Sequence, residues 1–226
     1  MWTILLDIDG TLVRTRGAGL HAIQIVMQRH YGVRELPKLQ VHGCTDFGIW
    51  TALFEQLGIP LRDGNGMADL IQEYCEVLVS SLNEFSGEVL PGVVDCMQAL
   101  QADSKVATGL LTGNAEYAAE IKMEHFGLGK YVDDFGGFGD IDADRNAVAR
   151  RALESASAFL GPKFDAAKVL VIGDTVRDIT CARSIGAKVV AVETGGDDRD
   201  TLKSALPDVQ VVNLTNFDLL EALAGF

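Results

Sequence analysis

Three short polar segments of the sequence, each directly after an apolar run, carry side chains that could share one reaction. Together they contain carboxylate, hydroxyl and amide groups: Asp7, Asp9, Thr11, Thr112, Asn114, Asp174 and Asp178. Four carboxylates gathered in a partly desolvated pocket would repel one another, and a bound cation would relieve that repulsion. A set of oxygen ligands with few carboxylates suits Mg²⁺, which commonly shares its site with a phosphate group. The segments therefore predict a magnesium site that takes a phosphorylated ligand.

Asp7 and Asp9 are two residues apart, and side chains at that spacing in a regular strand point the same way. One carboxylate of such a pair can attack phosphorus and form an acyl-phosphate. The other can protonate the leaving oxygen and later activate water. Gly10 allows the backbone to approach a ligand closely. Taken by itself, the Asp-x-Asp-Gly sequence is equally typical of a turn with Asx capping, but the polar groups of the other two segments favour the catalytic interpretation.

The elements that must position these residues follow an alternating pattern. Five short apolar runs predict strands at Thr3–Ile8, Val106–Leu111, Lys168–Ile172, Lys188–Val192 and Val209–Val212. Helical spacing predicts helices at Gly92–Ala102, Ala115–Phe126, Ala143–Ala158 and Asp178–Ile185. This alternation is typical of an α/β fold, a Rossmann-like parallel sheet covered on both faces. Ligands of such sheets bind outside the carboxyl ends of the strands, so the three polar segments should meet there.

Residues 14–90 depart from that alternation. They contain three amphipathic helical patterns, at Gly17–Tyr31, Thr45–Leu57 and Met67–Leu82, with no strand signal between them and a predicted loop at residues 62–66. We interpret residues 14–90 as an inserted α-helical cap domain. Residues 1–13 and 91–226 would then form the α/β core domain.

Composition excludes several classes of function. The chain has 226 residues, with 19 basic and 32 acidic side chains and a net charge of −13, and it lacks the clustered cations of a nucleic-acid binder. No run reaches the roughly 18 apolar residues of a membrane span. The N-terminal segment lacks the basic region of a signal peptide, so a cytoplasmic protein is expected. The four cysteines are scattered, which disfavours a zinc site or a disulfide framework.

The motifs resemble those of the haloacid dehalogenase-like (HAD) hydrolase superfamily, and of its phosphoglycolate phosphatase-like members in particular. The segment from Asp7 to Thr11 resembles the first motif of the superfamily, and Leu110–Asn114 resembles the second. Val171–Asp178 resembles the fourth. The order of the motifs and the helical insert after the first are similar too, so the resemblance covers nearly the whole chain.

The resemblance implies roles for the four aspartates. Asp7 would be the nucleophile that accepts the phosphoryl group, and it would also bind Mg²⁺. Asp9 would be the general acid and base, with its backbone carbonyl on the metal. Asp174 would be a direct metal ligand, and Asp178 would hold the metal shell directly or through water.

The resemblance also implies a set of groups that bind the phosphoryl oxygens. Thr112 would donate its hydroxyl to them, beside the backbone N–H groups near Gly113 and Asn114. Gly10 and Thr11 of the first motif would lie against the same phosphate.

The third motif departs from the commonest family pattern, which has a lysine upstream of the fourth motif. Arg145 lies 29 residues before Asp174, opens a predicted helix and resembles the arginine version of that motif. A guanidinium can hold phosphate and carboxylate groups in fixed geometry. An ion pair with an acidic neighbour on the surface is the alternative role of Arg145. Lys163, Arg150 and Arg151 are less favoured candidates for the third motif.

The cap is expected to select the substrate. Arg14 follows the first motif and is predicted to lie at the mouth of the pocket. Thr45 begins the second cap helix, either as a substrate contact or as its N-cap, a role that Asp46 could also fill. Phosphoglycolate phosphatase-like proteins often carry an arginine where this chain has Cys44. The sequence therefore does not determine which leaving group is preferred.

These observations favour a magnesium-dependent phosphatase that hydrolyses a small phosphorylated metabolite, phosphoglycolate-like or a sugar phosphate, through a phospho-aspartyl intermediate. A phosphomutase with the same core is an alternative, and so is a non-catalytic binding or regulatory protein. Asp9 disfavours a dehalogenase, and the single cap lysine, Lys38, disfavours a phosphonate hydrolase. No nucleic-acid or membrane partner is expected. The sequence leaves open the substrate and the choice between a monomer and a homodimer.

Overall fold

The computed structural model describes residues 1–226, including every side chain except that of Asn65. Eight strands are present: β1 (Trp2–Leu6), β2 (Val13–Arg14), β3 (Glu88–Val89), β4 (Val106–Leu111), β5 (Gly136–Gly137), β6 (Val169–Gly173), β7 (Lys188–Val192) and β8 (Val209–Val211). Six of them form one parallel sheet in the order β5-β4-β1-β6-β7-β8. The other two, β2 and β3, pair antiparallel as a short ribbon.

Nine α-helices connect these strands among the described residues. They are α1 (Ala18–Tyr31), α2 (Asp46–Leu57), α3 (Gly64–Glu84), α4 (Val93–Ala102), α5 (Glu116–His125), α6 (Arg145–Leu160), α7 (Val176–Ser184), α8 (Arg199–Ser204) and α9 (Leu219–Gly225). Helices α4, α5 and α9 cover one face of the sheet, and α6, α7 and α8 cover the other. Because both faces are covered, the strands of the six-stranded sheet are predominantly apolar. The predicted α/β, Rossmann-like fold is confirmed.

The remaining three helices form a layer of their own. Helices α1, α2 and α3 pack on one another around fully buried aromatic side chains, Trp50, Phe54 and Tyr74. The chain enters this layer through β2 and leaves it through β3. The ribbon therefore holds the two ends of the helical layer side by side. Assignment of residues 14–90 to a separate cap domain stays a prediction.

Several elements differ from the sequence-based expectation. Strand β5 was not expected, because glycine is depleted in strands. It is tolerated here because helix α6 packs so closely that a Cβ on Gly137 would overlap the Val148 carbonyl oxygen. The ribbon is too short to produce a periodic pattern, so its two strands, which flank the three helices, were not predicted. The loop predicted at residues 62–66 was also wrong in part, since Asp63 caps α3 and the helix begins at Gly64.

The described residues contain no helix with the length and apolarity needed to cross a bilayer.

Candidate active site

The ends of three neighbouring strands meet at one cavity. Leu6, the last residue of β1, pairs with Leu110 of β4 on one side and with Ile172 of β6 on the other. The polar residues that follow these strands are therefore level with one another at the carboxyl edge of the sheet. Beside them lies a cavity of about 410 Å³, lined by core residues that include Asp7 and by residues of the helical layer.

Three buried acids converge at this edge. Asp7, Asp174 and Asp178 each offer a carboxylate oxygen within 4.8 Å of the other two. Burial, together with the charge of Asp178, raises the pKa of Asp7 to about 7, against the lowering effect of Arg145. Burial and the charges of Asp7 and Asp178 hold the pKa of Asp174 well above its usual range. Burial and mutual repulsion therefore both oppose ionisation of these acids.

Asp174 is held on two sides. The Thr11 hydroxyl donates to its Oδ1 over 3.0 Å, and the Gly196 backbone N–H donates to its Oδ2 over 2.5 Å. Gly10 lies against the same carboxylate with φ of +88°, and a Cβ at this position would collide with Asp174. Only glycine combines this backbone conformation with so close an approach.

Asp178 has a structural role as well as a place in the acid cluster. It forms a capping box with Thr175 at the start of α7, and its Oδ2 accepts bonds from both the backbone and the hydroxyl of Thr175. Its Oδ1 accepts a bond from Arg145 over 2.5 Å. Both oxygens are therefore engaged by protein donors.

Arg145 lies at the centre of the acid cluster. Asp144 caps α6, so Arg145 is the first residue of that helix and its side chain reaches the end of the sheet. Its Nη2 donates to Asp7 over 2.9 Å, to Asp178 over 2.5 Å and to the Leu111 carbonyl over 3.2 Å. Burial favours a lower pKa for this guanidinium, but Asp178 and Asp7 raise it above its usual value.

The alternative surface ion pair of Arg145 is not formed. Its neighbours in α6 make such pairs instead, Arg151 with Asp142 over 3.4 Å and Arg150 with Asp144 over 3.6 Å.

Asp9 also lines the cavity, but its carboxylate is directed toward α5. Strand β1 ends at Leu6, so the strand alternation assumed for Asp7 and Asp9 does not extend to Asp9. Its Oδ2 accepts bonds from Asn114 over 2.8 Å and from Lys122 over 2.5 Å. Asn114 also donates to the Thr112 hydroxyl oxygen over 2.7 Å. The side chain of Asp9 is therefore fixed beside the second motif.

Lys122 is a charged cavity residue that the sequence reasoning missed. It lies in α5 and is only 4% exposed. Ala115, Ala118 and Ala119 precede it at helical spacing and are buried on the same side. That periodicity was the available signal, because it puts Lys122 on the buried face of α5, which packs partly against the helical layer.

The second motif contacts the helical layer directly. Gly113 accepts a bond at its carbonyl from the Asp46 N–H over 2.6 Å, and a Cβ on Gly113 would collide with the Cys44 carbonyl. Asp46 in turn accepts a bond from the Ala115 N–H over 2.7 Å. Burial raises the pKa of Asp46 to about 6.

The two predicted cap residues have different surroundings. Thr45 is the N-cap of α2, with its hydroxyl accepting a bond from Gly48 over 3.0 Å, and it is not among the described residues that line the cavity. Arg14 does line the cavity, pairs with Glu88 over 3.2 Å and donates to the Thr194 carbonyl over 2.7 Å. All four cysteines are free thiols, and Cys44 is the one that lines the cavity.

The chain is similar to known proteins in sequence and in fold. Residues 4–192 match the family model described as haloacid dehalogenase-like hydrolase. The chain is 32% identical to a phosphoglycolate phosphatase of Synechococcus elongatus over 137 residues, which is 60% of this chain and 59% of that protein. It is 27% identical over 208 residues to the probable phosphatase IndB of Dickeya dadantii, covering 92% of this chain and 88% of that one.

Among solved structures, CbbY from Rhodobacter sphaeroides in complex with phosphate is similar, with a TM-score of 0.75. The identity is 18%, and the match covers 99% of this chain and 100% of that chain. A likeness at this level of identity shows a shared fold.

Proposed function

The chain belongs to the haloacid dehalogenase-like hydrolase family, and from this premise we propose that it hydrolyses a small phosphomonoester through a phosphorylated Asp7. One observation carries the proposal. Asp7 lies at the edge of a cavity in contact with the buried Arg145 and within reach of two further buried acids. A carboxylate fixed beside a guanidinium in this way is suited to attack a bound phosphoryl group.

Mg²⁺ fits the acid cluster by charge. Three carboxylates meet there, and among the described residues Arg145 is the one cation in contact with them. Burial and, after it, the charges of neighbouring acids raise the pKa values of Asp7 and Asp174, so a bound cation would favour their ionised forms. Asp7 and Asp174 would hold the ion, together with the Asp9 carbonyl, while Asp178 orients Arg145. When bound, Mg²⁺ would supply positive charge that keeps Asp7 ionised and neutralises the phosphoryl oxygens.

The first half of the reaction transfers the phosphoryl group to the enzyme. An oxygen of Asp7 forms a bond to phosphorus as the bond between phosphorus and the ester oxygen breaks. Asp9 gives its proton to the departing oxygen, so an alcohol leaves. Arg145 orients Asp7, and the Thr112 hydroxyl with the N–H groups of Gly113 and Asn114 would hold the phosphoryl oxygens.

The second half returns the enzyme to its starting state. Asp9 takes a proton from a water molecule, the water oxygen attacks phosphorus, and the bond between phosphorus and Asp7 breaks. Inorganic phosphate leaves, and Asp9 is protonated again for the next turnover.

The cavity limits the size of the leaving group. About 410 Å³ admits a small metabolite together with its phosphate. The helical layer lines part of this cavity with apolar side chains such as Leu20, Ile23 and Ile49, and Arg14 lines it as well. Phosphoglycolate, named in one relative, is one candidate among small phosphomonoesters.

Release of inorganic phosphate tests this function. We expect the purified protein with Mg²⁺ to release phosphate from at least one member of a phosphoester panel, and we expect EDTA to stop the reaction. Asp7→Asn should lose turnover and keep its fold, whereas Asp95→Asn, an exposed carboxyl in α4, should keep both. No release by the wild-type protein would favour a binding protein, and an isomerised sugar phosphate would favour a phosphomutase.

A further inference from the structure

A buried lysine contacts the proposed general acid and base. The Lys122 ammonium donates to Asp9 Oδ2 and to Asn114 Oδ1, each over 2.5 Å. Its side chain is 5% exposed, whereas that of Asp9 is 41% exposed. Burying an ammonium is costly unless it is paired and hydrogen-bonded. The fold therefore holds the Lys122 ammonium in contact with Asp9.

Asp9 Oδ2, the Lys122 ammonium and the Asn114 amide form a closed ring of hydrogen bonds. Asn114 Nδ2 donates to the same Oδ2 over 2.8 Å and to the Thr112 hydroxyl over 2.7 Å. Within the described chain, no side chain or backbone group donates to Asp9 Oδ1. Two donors thus hold Oδ2 in place, and Oδ1 is left to exchange a proton with a ligand in the cavity.

Arg145 makes its hydrogen bonds to other groups and not to Asp9. Its Nη2 is engaged by Asp7, Asp178 and the Leu111 carbonyl. The two aspartates of the first motif thus have separate buried cations from different helices, Arg145 of α6 for Asp7 and Lys122 of α5 for Asp9. Loss of one cation leaves the other pair intact.

We propose that Lys122 is a positioning residue, which with Asn114 holds Asp9 so that Oδ1 faces the ester oxygen of the substrate. The inference rests on the proposed phosphatase function. It predicts that replacing Lys122 slows the hydrolysis of those esters whose leaving oxygen needs a proton. An alkyl phosphate needs one, whereas p-nitrophenyl phosphate has a leaving group stable as an anion and needs little help from an acid.

The test compares kcat/KM for these two esters, because this ratio reports the first transfer and not the later hydrolysis of phospho-Asp7. Lys122→Met should lower kcat/KM about 100-fold for an alkyl phosphate, the scale of a misplaced catalytic group. It should lower the value for p-nitrophenyl phosphate only a few-fold. Lys130→Met, an exposed lysine, is the matched control and should change neither.

A double-mutant cycle tests whether Lys122 acts through Asp9. In an Asp9→Asn background, Lys122→Met should cause no further loss on the alkyl ester, because the residue through which it acts is gone. Circular dichroism establishes that each variant is folded. If Lys122→Met does not fold, the same comparison with Lys122→Gln decides the question.

Equal losses on the two esters would overturn the inference, since a structural role for Lys122 affects both alike. Full additivity in the cycle would also overturn it and would point to direct contact between Lys122 and the leaving group. An inactive wild-type protein would overturn the proposed function as well. An active wild type with equal losses overturns only the role of Lys122.

Discussion

Replacing Arg145 by methionine should destabilise the folded protein strongly, and more at alkaline than at acidic pH. The guanidinium is 7% exposed and lies between the carboxylates of Asp7 and Asp178, which are 9% and 1% exposed. Methionine fills a similar volume but carries no charge. The substitution therefore leaves two buried carboxylates without their cation.

The size of the expected loss in unfolding free energy follows from this burial. Removing one partner of a buried ion pair costs about 3–5 kcal/mol, because the remaining charge is desolvated and uncompensated. Burial already raises the pKa of Asp7 to about 7 in the folded state, and Arg145 lowers it. Without Arg145 that pKa rises further above the roughly 3.9 of an unfolded chain. Between these two pKa values Asp7 is ionised in the unfolded chain but protonated in the folded protein, so stability falls as the pH rises through this range. The extra loss caused by removing Arg145 therefore appears above about pH 7, where Asp7 of the wild type is ionised, and disappears at lower pH.

Urea unfolding in EDTA at about pH 8 and at about pH 5.5 measures the effect. We expect the loss of unfolding free energy in Arg145→Met to be largest at the higher pH and to shrink by at least about 1 kcal/mol at the lower one. Arg150→Met is the matched control, because this arginine lies in the same helix with a side chain 58% exposed. It should change the unfolding free energy by less than about 0.5 kcal/mol.

Two results would refute this reasoning. If Arg145→Met were no less stable than Arg150→Met, the buried ion pairs would not be compensating the acid cluster. If the loss were the same at both pH values, it would come from packing around the side chain and not from the charge of Asp7.

Two further predictions concern the stability of the same region. Asp46→Asn should raise the unfolding free energy at about pH 8 by about 1–3 kcal/mol, because burial raises the pKa of Asp46 to about 6. Its ionisation costs stability as the pH rises from about 3.9 to about 6, and this cost is complete at pH 8. The amide oxygen can still accept the bond from Ala115, so a lower thermal midpoint at that pH would contradict the prediction. Mg²⁺ should raise the thermal midpoint of the wild-type protein, since a ligand at 100 times its Kd adds about 2.7 kcal/mol. The midpoint of Asp174→Asn should respond much less, and equal shifts in the two proteins would place the ion elsewhere.

Local patterns in the sequence were sufficient for the fold. The apolar runs of β1, β4, β6 and β7 identify buried parallel strands because each is covered on both faces. Helical spacing located α1 to α7 to within a few residues. These signals are local, since period and burial are properties of one segment. Elements with no period, such as β5 and the two-residue strands of the ribbon, escaped detection for the same reason.

The candidate site was foreseen where it depends on strand ends. Asp7, Thr112 and Asp174 follow adjacent strands, and the register of a parallel sheet alone brings them level. Their types and order along the chain therefore predicted a common site. Their roles in catalysis stay predictions.

Tertiary packing determines which cationic side chain contacts each of these acids. Arg145 and Lys122 lie on helices on opposite faces of the sheet, and no property of either helix alone specifies which carboxylate its side chain reaches. That depends on how each helix crosses the sheet, which is set by contacts between residues far apart in the chain. The same packing also gives Asp178 both a capping box and an arginine partner. The sequence thus determined the carboxylates and pointed to Arg145 as one cation, whereas only the assembled layers brought Lys122 to Asp9.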